Sequence, residues 1–166
     1  MPASMVLPGD VEQTLLAALT AGLPTINVAA IGEADFGDDG QLVTDLPAAH
    51  SRYVGTGYKN QGDNQWLTYD VAHIFEIWCA AENLTNKEAQ RTATLAVVDQ
   101  VLPLIAGARL VLPDTSTTDP VVLKGVGKLP DDVLGMIYIC TIEVSAIAQF
   151  PGTLAAGTPT AGNEDD

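Results

Sequence analysis

Apolar positions first recur at helical spacing. Val11, Leu15, Leu16, Ala18 and Leu19 share one stripe of a helix. Asp10 stands where an N-cap belongs and Gln13 completes a capping-box variant, while Gly22 and Pro24 mark the end. The period then changes to two. Strands are predicted over Thr25 to Ile31, Ala48 to Gly57 and Gln65 to Ala81, with the turn "KNQGDN" joining the last two into a hairpin. In the longest of these, Tyr69, Val71, His73, Phe75, Ile77 and Cys79 alternate with Asp70, Ala72, Ile74, Glu76, Trp78 and Ala80. Neither set is wholly polar, which predicts a central strand covered at least in part on both faces.

The period returns to 3.6 after a short polar connector. Thr85 and Glu88 read as a capping box for a helix from about Asn86 to Ala106, which Pro103 should kink or end. Ala89, Ala93, Ala96, Val97, Val101 and Leu104 form one apolar band, and Leu95, Val98, Leu102 and Ile105 form another. A helix lying on a globule needs one stripe about 100° wide. The second band is surplus, to be covered inside the domain or by another subunit. The expectation is a subunit contact at Leu95, Val98, Leu102 and Ile105. Two further strands, Val121 to Leu129 and Gly135 to Phe150, flank the turn Pro130-Asp131-Asp132.

The order helix, strand, hairpin, helix, hairpin predicts an α+β fold. It has one domain over residues 1–150, a mainly antiparallel sheet of four to six strands and two principal helices. Residues 151–166 are too poor in large apolar side chains to order themselves and read as a flexible acidic tail.

Composition narrows the function. Among 166 residues there are 21 acids and 7 bases, a net charge of −14. Duplex affinity rests on Lys and Arg displacing counterions, so specific nucleic-acid binding is excluded. A negative wall past which DNA slides is compatible with this charge. The N-terminal "MPASMVLPGD" has neither the basic region nor the apolar core of a signal peptide, and no segment predicts a membrane span. Cys79 and Cys140 fall in apolar runs and read as small buried hydrophobes, with a single disulfide between them as the alternative.

Chemical motifs are weak. "GVGKLP" lacks the spacing of a phosphate loop and has Leu129 where Ser or Thr should follow the lysine. Read as a calcium loop from Asp35, "GDDG" puts Gly37 and Leu46 where oxygen ligands are required. His73 and Cys79 lie about 20 Å apart along a strand and cannot share an ion. Neither cysteine stands at a helix N-terminus that would activate it. No cofactor, metal or catalytic residue is therefore assigned, and the chain reads as a non-enzyme. Tyr53, Tyr58 and Trp66 flank the hairpin turn and are candidate contact anchors. The segment "GEADFGDDGQLVTD" holds five acids and no base and reads as a solvated loop, with Asp35, Asp38 and Asp39 at its centre.

The run "VAHIFEIWCAAENLTNKEAQRTATLAVVDQVLPLIAGARL" resembles the Mu-like phage tail terminator family: a strand, an Asn, a polar link, an Ala-rich helix, a Gly-containing segment and a strand. "LPTINVAAI" and "GMIYICTIEVSAIAQF" match the family's opening and final strands. The resemblance implies a virion protein, assembled in the host cytoplasm. It would form a ring, commonly a hexamer, at the head-proximal end of the tail. Its partners would be further copies of itself, the tail tube protein and the neck or connector protein. Asp35, Asp38 and Asp39 would face the lumen or the adjacent ring. Alternatives are another head–tail connector or neck protein, and a small oligomeric binding domain from outside phages.

Overall fold

The computed structural model describes residues 5–31, 45–61, 67–82, 85–129 and 137–150. Its first helix, α1 (Pro8–Gly22), begins earlier than the sequence implies. Leu7 occupies the cap position without a side-chain bond, and Pro8 opens the first turn. Proline suits that place because its fixed φ is already helical and its missing N–H would have had no partner. Asp10 lies in the first turn, where its charge meets the positive end of the helix dipole, rather than at the cap. Val11, Leu15 and Leu19 are buried, each contributing about 1.5–3 kcal/mol through removal from water.

Strands β1 (Asn27–Ala30), β2 (Ala48–Asn60), β3 (Leu67–Ala80), β4 (Val122–Lys128) and β5 (Tyr138–Phe150) form one sheet in the order β1-β2-β3-β5-β4. Only β1 and β2 run parallel; β2–β3, β3–β5 and β5–β4 are antiparallel. The sheet is thus mostly antiparallel, as the two hairpins imply, and β3 is its central strand. The second helix, α2 (Lys87–Ile105), follows β3. It is capped by Asn86, whose Oδ1 accepts the N–H of Ala89 at 2.8 Å. The cap therefore falls one residue beyond the Thr85–Glu88 box that the sequence pattern favours.

Both helices cover one face of the sheet. That face buries Val71, Phe75, Ile77 and Cys79 of β3 against Cys140, Ile142, Val144 and Ala146 of β5. Register fixes which side chains reach it: Phe75 pairs with Ile142 and Ile77 with Cys140. A slip of one residue would move the whole set to the opposite face. The helices meet closely at Gly22, where a Cβ would lie 2.5 Å from a Leu104 methyl.

Candidate functional site

The surplus apolar band of α2 is mostly hidden within one subunit. Val98 and Ile105 are 3% and 1% exposed, and Leu102 packs half-buried against the same core, as does Leu104 of the first band. Leu95 is also half-buried. The sheet and α1 together therefore cover more of this helix than one stripe, and the band by itself does not require a second copy.

Most of the exposed large apolar side chains lie instead on the sheet. All seven residues of β4, an edge strand, are exposed. Val122, Leu123 and Val126 stand there in water, Val126 at 42%. Val54 of β2 and Ile147 of β5 are also exposed, Ile147 at 58%. Sequence patterning predicted this strand, over Val121 to Leu129, but not its place at the edge, which depends on pairings distant in the chain. The one local signal was the apolar content of "VVLKGVG" on both faces.

Of the candidate anchors, Tyr53 is half-covered by Phe75, with ring centroids 5.6 Å apart. Tyr58 joins Tyr69 and Phe150 in an edge-to-face cluster with centroids 5.8–6.2 Å apart. Both tyrosines keep large exposed areas. Trp66 and the acidic residues Asp35, Asp38 and Asp39 lie outside the described residues.

Buried polar groups serve the fold. His73 is fully buried, its Nε2 3.1 Å from the Val6 carbonyl and its Nδ1 2.6 Å from Thr56 Oγ1. A carbonyl only accepts, so Nε2 carries the proton and Nδ1 accepts from the threonine hydroxyl. Thr56 in turn accepts from Tyr53 Oη at 2.6 Å. Burial pulls the imidazole below its ordinary pKa, a shift opposed by the Val6 bond. The two cysteines are buried and free, diagonal neighbours on β3 and β5. Contact with Cys140, reinforced by burial, pushes the Cys79 thiol up, away from a reactive thiolate. No group of three metal-ligating side chains occurs among the described residues.

On the sheet face away from the helices, Trp78 donates its Nε1–H to Glu76 at 2.9 Å, and Arg52 lies 5.6 Å over the Trp78 ring and 3.6 Å from Glu76. Lys124 pairs with Glu143 at 3.3 Å. Such half-exposed pairs contribute little to stability, about 0–1 kcal/mol each.

Two clefts remain. One, about 610 Å³, opens beside α2 and the start of β1 and is lined by Ile26, Leu46, Pro47, Glu82, Ala96 and Val97 among others. The other, about 440 Å³, lies on the sheet among Tyr58, Lys59, Asp70, Asp119 and Ser145. Neither is lined by a histidine or cysteine. No described helix is long and apolar enough to cross a membrane.

No known family profile matches the sequence, and no curated protein matches it. The fold does have a solved counterpart. A chain from the "Virion of native gene transfer agent (GTA) particle" superposes with a TM-score of 0.52 at 12% identity, over 89% of this chain and 100% of that one. At that identity the likeness is one of fold, and it spans the whole of the neighbour.

Proposed function

We propose that this chain is a structural virion protein, and within that class a tail terminator. In this reading it forms a ring, six copies by the family pattern, that caps the tail tube and joins it to the neck. The observation that carries the reading is the fold match to a chain of a gene transfer agent virion, over 89% of this chain and all of that one. Two independent features support it. The sequence resemblance runs over roughly Val11 to Phe150, and the exposed apolar residues of β4 are the kind of surface that assembly covers. A net charge of −14 suits a passage through which DNA must move without adhering. Leu95 and Leu102, through their exposed parts, and Tyr53 and Tyr58 stay candidates for contacts within the assembly; Val98 and Ile105 act from inside the subunit.

The test is electron microscopy of particles assembled without this chain. A tube lacking its cap should grow past its set length and fail to join heads. Normal-length tails attached to filled heads would overturn the reading. A neck-protein role would instead leave tails of correct length detached from heads.

A further inference from the structure

Strand β4 is chemically unlike the rest of the molecule. Its sequence, VLKGVGK, carries two of the chain's seven bases and no acid, in a protein with 21 acids. Lys124 is engaged by Glu143, but Lys128 extends the strip with positive charge next to exposed Leu123 and Val126. The strand is thus an apolar strip with a basic end.

The cleft beside α2 is also apolar but carries the opposite charge. Its floor is Ile26, Leu46, Pro47, Ala96 and Val97; Glu82 lines it, and neither Lys nor Arg does. Asp45 and Asp99 adjoin lining residues in sequence. It lies by β1, at the far edge of the sheet from β4, about 19 Å across four strand spacings.

Resting on the ring reading above, we propose that β4 of one copy seats its Leu123, Val126 and Lys128 in the α2–β1 cleft of the next copy. Strip and cleft are both largely apolar, and their charges are opposite in sign. Because they lie at opposite edges of one subunit, the contact is head-to-tail, the kind that closes a ring rather than a two-fold dimer. It works through side chains rather than by extending the sheet. β4 has a register irregularity between Leu123 and Gly125 and carries two lysines, devices that discourage strand addition at an edge.

The full chain, alone and with purified tail tubes, is followed by sedimentation velocity. Leu123→Ser with Val126→Ser, and separately Lys128→Glu, should each weaken self-association on the order of tenfold, as loss of a central apolar contact or a reversed charge does. All three side chains are exposed, so the circular dichroism spectrum should not change. Adding Glu82→Lys to Lys128→Glu should restore most of the lost affinity. If wild type associates and these variants associate equally well, the β4–cleft contact is wrong while the ring reading stands. If the double charge reversal stays as weak as the single one, the cleft is not the partner surface. A wild type that associates neither alone nor on tubes overturns both.

Discussion

His73 ties three parts of the chain together: the segment before α1 through Val6, β2 through Thr56, and its own strand. Its folded pKa is lowered from 6.5 by burial. A lowered base is held neutral in the folded state, so the unfolded chain binds more protons as pH falls through 6.5 toward the folded value. Its contribution is complete above pH 6.5 and lost below. Urea midpoints between pH 7.5 and 5 should therefore decline, and His73→Phe should lose the part of that decline due to this group. The place of His73 on the core face was legible in the sequence, since it alternates in step with the apolar residues Val71, Phe75 and Ile77. Its partners were not legible, since Val6 is 67 residues away. Thr115 offers a second residue-scale test. It sits at φ 67°, in a turn where Thr115 N–H bonds the Leu112 carbonyl at 2.8 Å. A β-branched residue is strained there, so Thr115→Gly should raise stability by roughly 0.5–1 kcal/mol in a thermal melt.

At the scale of elements, α2 decides most. Its existence and span were legible from the 3.6 period, and so was its excess of apolar positions. What covers that excess was not, because a helix wedged between a sheet and a second helix has the same pattern as one wedged between subunits. Ile105, buried within the subunit, should behave as core: Ile105→Ala should destabilise by about 2–5 kcal/mol in denaturant titration at dilute, monomeric concentration. A purely intersubunit residue would leave that value unchanged. The cap makes a further test. Asn86 bonds the Ala89 N–H, so Asn86→Ala should cost about 1 kcal/mol. The pattern alone placed this cap one residue early, since Thr85 and Asn86 are both good caps and only the backbone turn chooses between them.

Across the whole molecule, the α+β class and both hairpins followed from local periods. The insertion of β5 between β3 and β4, and the parallel pairing of β1 with β2, depend on contacts between distant segments that no local pattern encodes. The same holds for the functional surface: β4 is an exposed edge only because β5 takes the central place beside β3. The proposed ring makes that edge and the opposite cleft the two ends of one repeating contact. Native mass spectrometry of the full chain, free and released from tail tubes, tests this most directly. The account predicts one closed species, six copies by family likeness, with no stable two-copy end point. A chain that stays single in both conditions, or that stops at a symmetric pair, would contradict it.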